Sequence, residues 1–210
     1  MDVSYLRQQY KERKNVIKQR LKEFKDVRNK DGNVIFAELA FCLLTPQSNG
    51  RRCWVAIEKL QTHDVLFSGK VNQIKKIIKA YARFHHTKAR HIVYNRKFLN
   101  GSNVTKHLNE FSDAKQAREW LVKNIKGFGY KEASHFLRNI GYWEDIAILD
   151  RHILKNLVKH GAIESLPKSL TPKKYLEIEE KMKEFADRIN IPFPELDLLF
   201  WSEETGEVFK

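Results

Sequence analysis

Four residues, Lys126-Gly127-Phe128-Gly129, stand between two stretches of helical periodicity and leave the chain few conformations at that point. One stretch ends at 119–124 and the next begins at 131–139. Glycine reaches φ values closed to other residues, so two glycines in three positions specify a tight reversal between helices. Such a turn leaves the first N–H groups of the second helix without intrahelical partners, facing a place where an anion can sit. The same residues also suit an ordinary αα-hairpin with glycine caps.

The rest of the chain repeats the helical period. Val3, Leu6, Tyr10, Ile17, Leu21 and Phe24 form an apolar stripe in three- and four-residue steps among Arg and Lys. A turn at 29–33 precedes the nearly all-apolar segment 34–44, expected as a central helix. Thr45-Pro46-Gln47-Ser48-Asn49-Gly50 then breaks the pattern before a helix at 51–61. Further helices are expected at 71–82, 87–99, 113–124, 131–139, 151–160, 172–188 and 194–202. No sustained two-residue alternation and no hairpin signal points to strands. The expected fold is all-α.

Composition narrows the function. The chain has 210 residues, enough for a core in one domain or two small lobes, and 42% of them are hydrophobic. Its 39 Lys and Arg against 26 Asp and Glu give a formal charge of +13, which favours a polyanionic partner. Nucleic acid is the commonest, and glycine-punctuated hairpins recur among proteins that bind the DNA backbone. The pattern speaks for DNA contact more than for catalysis. The N-terminal residues lack the apolar core of a signal peptide, and 34–44 is too short for a membrane span and contains Glu38. A soluble, intracellular protein, cytoplasmic or on the nucleoid, is expected. Cys42 and Cys53 read as reduced core thiols and cannot supply the four thiolates of an iron–sulfur cluster. Few Met and Cys with many Lys and Glu hint at a thermophilic source.

Lys131 opens the helix after the turn. The positive end of the helix dipole disfavours an ammonium there, and helices normally place Asp or Glu at that point. A residue that breaks a local rule marks function, here a nucleophilic amine. Nineteen residues later Asp150 begins another helix. It suits an N-cap, and a carboxylate fixed in that way also stabilises positive charge developing on a sugar as its base departs. His152 is compatible with a phosphate contact and equally with a place on the helix surface.

These residues carry a resemblance. The chain resembles the HhH-GPD superfamily of DNA glycosylases, and within it the archaeal and thermophile-type second family of 8-oxoguanine DNA glycosylases. The likeness covers essentially the whole chain and is densest in NIKGFGYKEASHFLRNIGY, LDRHILK and LDLLFW. It implies that Lys131 is the Schiff-base nucleophile and Asp150 the assisting carboxylate, with Lys126, Gly127 and Gly129 gripping the DNA backbone. It also implies a base pocket. The Phe of the pair Arg83-Phe84 and Trp201 would sandwich the flipped purine, with Asp197 one turn before the tryptophan and Lys210 completing the pocket. Without the resemblance, Phe84 and Trp201 read as core residues and Lys210 as a frayed tail.

The chain departs from the family's pattern after Leu43-Leu44-Thr45, where Ala-Asn often follows and Pro46-Gln47-Ser48-Asn49 stands here. Gln47 or Asn49 would fill the gap left by an extruded base, or the segment is a proline-started helix cap. The resemblance further implies a monomer that binds double-stranded DNA containing a damaged base, has no membrane partner, and works without metal or cofactor. Residues 30–140 would form one lobe ending in the hairpin, and 1–29 with 141–210 the other. The alternatives are a sister glycosylase for another damaged or mismatched base, and a non-catalytic DNA-binding module.

Overall fold

Short polar side chains start many of the helices. Asp31, Asn49, Asp113, Asp150 and Thr171 each accept hydrogen bonds from the free N–H groups of the turn that follows, and Pro172 occupies a first-turn position where no amide is needed. The computed structural model describes residues 3–100 and 104–210. Residues 1–2 and 101–103, which the expected lobes include, lie outside the described residues.

Among the described residues every regular element is helical. In chain order they are α1 (Ser4–Val27), α2 (Gly32–Leu44), α3 (Gly50–Thr62), α4 (Val65–Ser68), α5 (Val71–Ile78) and α6 (His85–Phe98). There follow α7 (Val104–Leu108), α8 (Ala114–Asn124), α9 (Tyr130–Asn139), α10 (Arg151–Lys159), α11 (Pro172–Ile189) and α12 (Phe193–Thr205). The short helices α4 and α7 carry too few residues to show a period in sequence. The helix expected at 71–82 stops at Ile78. The Arg52 guanidinium takes the Ala80 carbonyl, and the chain tightens there into a turn from Ile78 to Tyr81.

Two apolar cores form. In the first, α2 is surrounded, and every residue from Ile35 to Leu44 is buried, with α3, α6, α7 and α9 packed on the helix. The second joins the Leu6, Ile17, Leu21 and Phe24 stripe of α1 to α10, α11 and α12. Each fully buried Leu, Ile or Phe stabilises by roughly 1.5–3 kcal/mol, so the two cores supply the main favourable contribution to the fold. No described helix is long and apolar enough to cross a membrane. Cys42 and Cys53 are free and buried, and burial pushes both thiols up, Cys53 to about 11.

α9 borders both cores, packing on α2 and α8 and reaching α1. Its end depends on Gly141, at φ +85°, where a Cβ would come 2.9 Å from Lys25 Cα. A buried ion pair ties the two sides together. Arg118 of α8 donates to both oxygens of Glu179 of α11 at 2.5 and 2.8 Å. Glu179 also accepts from the Ala147 amide at 2.7 Å. The Tyr175 hydroxyl donates to the Ala147 carbonyl (2.7 Å) and accepts from the Leu149 amide (3.1 Å). These bonds fix the extended segment that delivers Asp150.

Candidate active site

The hairpin between α8 and α9 is held from a third helix. Asn95 of α6 accepts from the Lys126 amide and donates to the Lys126 carbonyl, both at 2.9 Å. Gly127 lies at φ +97°, and a Cβ there would fall 2.3 Å from Nδ1 of His91. Glycine is required twice over, for conformation and for space. Gly129 precedes α9, and its N–H donates to Glu132 at 3.2 Å. The Lys126 ammonium stands 5.1 Å from the Tyr94 ring centroid.

Lys131 is thereby placed in the first turn of α9. Its side chain is 23% exposed and its ammonium lies 3.6 Å from Glu132. The same face of α9 carries His135 and Arg138, at four- and seven-residue spacing. All three side a cleft of about 860 Å³. Across it stand Asp150, Trp201 of α12, and the loop before α3.

Asp150 is held by three N–H donors. One carboxylate oxygen caps α10 through the His152 and Ile153 amides, each 2.8 Å. The other accepts from the Trp201 indole at 3.0 Å. The cap and the cleft position are therefore compatible in one side chain.

Lys210 reaches the same cleft. Its ammonium pairs with Glu38, the charge inside the apolar α2, and lies 3.2 Å from the Trp54 ring centroid. Burial pushes the Lys210 ammonium down, and the Glu38 carboxylate opposes it. Asn139 donates to the second Glu38 oxygen at 3.1 Å.

Gln47 and Asn49 both border the cleft. Gln47 is exposed and takes φ +54°, and Asn49 accepts from the Arg52 amide at 3.1 Å as the cap of α3. Their loop is cinched by Lys88, whose buried ammonium donates to the Leu44 and Pro46 carbonyls (both 2.7 Å) and to Ser48 (3.1 Å). Burial pushes the Lys88 ammonium down to about 8. His152 faces Glu204 at 3.2 Å and tilts against Trp201.

Two of the expected pocket residues are placed elsewhere. Phe84 is 53% exposed at the start of α6, beside Arg83, which does border the cleft. Asp197 is buried behind the wall, accepting from Arg138 at 2.9 Å. Burial pushes its carboxyl up against the pull of that guanidinium. Sequence reasoning passed over His135, Arg138, Lys88 and the pairing of Lys210 with Glu38. A signal existed for the first two, since they fall on the helical face of Lys131.

The arrangement brings an amine and a fixed carboxylate to opposite walls of one cleft, with an indole beside the carboxylate. Among the described residues no cluster of three His, Cys, Asp or Glu is suited to a metal. The family model described as Ogg-HhH, 8-oxoguanine DNA glycosylase, matches residues 17–191. A protein of Fusobacterium nucleatum named 8-oxoguanine DNA glycosylase/AP lyase is 48% identical over 205 residues, 96% of this chain and 94% of that protein. The Methanocaldococcus jannaschii 8-oxoguanine glycosylase/lyase, crystallised with a 15mer DNA containing 8-oxoguanine, superposes with a TM-score of 0.87 at 38% identity over 97% of this chain and 98% of that one. The 8-oxoguanine DNA glycosylase of Thermotoga maritima does so with 0.87 at 34% identity over 99% and 98%.

Proposed function

The chain belongs to the Ogg-type helix-hairpin-helix family of 8-oxoguanine DNA glycosylases, and from that premise we propose that it excises 8-oxoguanine through Lys131 and then cleaves the strand. The protein is a DNA glycosylase with AP lyase activity, and its partner is duplex DNA carrying the damaged base. The observation that carries the residue assignment is the shared cleft of Lys131, Asp150 and Trp201.

In this reading the basic surface follows the phosphates, with salt dependence of about −0.9 per neutralised phosphate. Lys126, Gly127 and Gly129 hold the backbone at the hairpin, and His152, in the first turn of α10, contacts a phosphate. The base is extruded into the cleft, at a cost of a few kcal/mol. Trp201 and Lys210 shape its pocket, Phe84 covers it from the rim, and Asp197 acts through Arg138. Gln47 and Asn49 occupy the space the base vacates in the duplex.

Lys131 Nζ attacks C1′ while the bond to the base breaks and the base leaves with its electron pair, taking up the proton that the attacking nitrogen gives up. Asp150 stabilises the positive charge that develops on the sugar. Ring opening gives a lysine–C1′ imine, which acts as the electron sink. Loss of a 2′ proton to solvent and departure of the 3′ phosphate complete β-elimination. The amine supplies this chemistry without metal or cofactor.

We propose two lobes, residues 30–140 and 1–29 with 141–210, with the cleft where they meet; the two apolar cores support this division, although Tyr142 and Ile146 pack into the first core. We read the protein as a monomer without an iron–sulfur cluster, acting on the nucleoid. Borohydride trapping on duplexes with one 8-oxoguanine tests the assignment. A covalent band with wild type and none with Lys131→Gln is expected. A band that survives Lys131→Gln would overturn the nucleophile. No band with wild type on 8-oxoguanine, beside one on an abasic duplex, would move the target to another base.

A further inference from the structure

We propose that His135 is a specificity-determining residue whose imidazole hydrogen-bonds the edge of the extruded purine. The inference rests on the glycosylase reading and goes beyond it in assigning the contact.

The placement is the first argument. His135 lies one helical turn from Lys131, about 6 Å along the axis, on the face of α9 that borders the cleft. A nucleophile that reaches C1′ leaves the attached base to occupy the next space along that wall. Burial is the second argument. His135 is 7% exposed, with its ring edge-on to Phe41 at 5.5 Å, and Phe41 also borders the cleft.

Partnering is the third. Neither ring nitrogen meets full hydrogen-bond geometry within the protein, and the Lys210 main chain offers the ring only a weak hydrogen-bond contact. Buried polar groups are nearly always paired, so a bare one in the wall of a binding cleft marks a contact made only when ligand arrives. Burial, followed by the charges of Arg138, Lys131 and Lys210, keeps the imidazole neutral, its protonation pushed well below the ordinary range. A neutral imidazole offers one donor and one acceptor, which matches the mixed donor and acceptor edge of an oxidised guanine. A cation there would meet the positive charge developing on the sugar.

The test compares His135→Phe and His135→Gln with wild type under single turnover, on an 8-oxoguanine duplex and on an abasic duplex. Cleaving an abasic site uses Lys131 but has no base to read. For His135→Phe the ratio of excision to abasic cleavage is expected to fall at least about tenfold. His135→Gln, which keeps a donor and an acceptor, is expected to restore part of the ratio. An unchanged ratio for His135→Phe would overturn the proposal. Equal loss of both activities in both variants would also overturn it, because the ring would then only shape α9. Should His135→Phe fail to fold, His135→Ala, which also lacks donor and acceptor, takes its place with the same expected and overturning ratios. A wild type that cleaves abasic sites yet spares 8-oxoguanine would instead overturn the target assignment beneath it.

Discussion

The Trp201 indole N–H donates to the Asp150 carboxylate at 3.0 Å, joining α12 to the cap of α10 across the cleft wall. One hydrogen bond thus orients both the residue proposed to stack on the base and the carboxylate proposed to steady the sugar. Trp201→Phe keeps an aromatic face and removes the donor. It should cost about 1 kcal/mol of stability and slow single-turnover excision more than abasic cleavage. Thermal unfolding and the two rates together check it.

Asp150 has a structural duty and a proposed chemical one, and two substitutions separate them. Asparagine caps helices about as well as aspartate, but its NH2 cannot accept from the Trp201 indole, so Asp150→Asn should lose about 1 kcal/mol. Asp150→Ala loses the cap as well and should cost about 2 kcal/mol. Both variants remove the carboxylate, and both should lose excision by a factor of about 100. An Asp150→Asn protein with full activity would confine this residue to capping.

Gly127→Ala places a side chain at φ +97° and against the His91 ring. It should destabilise by more than about 1 kcal/mol and weaken duplex binding, whatever base is present. Denaturant unfolding and titration of an undamaged duplex measure the two effects.

The Arg118–Glu179 pair is buried from both sides. Removing one partner strands a charge, so Arg118→Met or Glu179→Gln should cost about 3–5 kcal/mol. Replacing both by apolar residues should recover much of that loss in stability. Activity should recover less, because Glu179 also holds the Ala147 amide in the segment leading to Asp150.

Lys88 links the loop before α3 to pH. Burial lowers its folded value to about 8 from the ordinary 10.5. Between those values the unfolded chain holds a proton that the folded chain has released, so this group's contribution to stability rises with pH there. Below about pH 8 both states are charged and the contribution is flat. Stability curves for wild type and Lys88→Met should differ in slope across that window, and parallel curves would contradict the shift.

Local order is legible in the sequence. The stripe of α1, the all-apolar α2, the cap at Asp150 and the Gly127 turn are set by neighbours in sequence, whereas α3 starts at Gly50 behind an Asn49 cap and not as a proline-started helix. Helical period, capping chemistry and backbone sterics act over four residues or fewer, and so the all-α class and most helix positions follow from them. The early stop of α5 was hidden, because Arg52 reaches the Ala80 carbonyl from another helix. The roles of Glu38 and Asp197 were hidden for the same reason, since Lys210 and Arg138 meet them across long separations in the chain.

By itself the sequence determined the helices, the hairpin, the basic charge and the candidacy of Lys131 and Asp150. Only the tertiary structure decided that α9 turns Lys131, His135 and Arg138 toward one cleft, that Trp201 braces Asp150 there, and that Phe84 lies exposed at the start of α6. Periodicity defines which residues share a helical face. Which element that face meets depends on how two cores and a buried ion pair orient whole helices, and no local pattern encodes that.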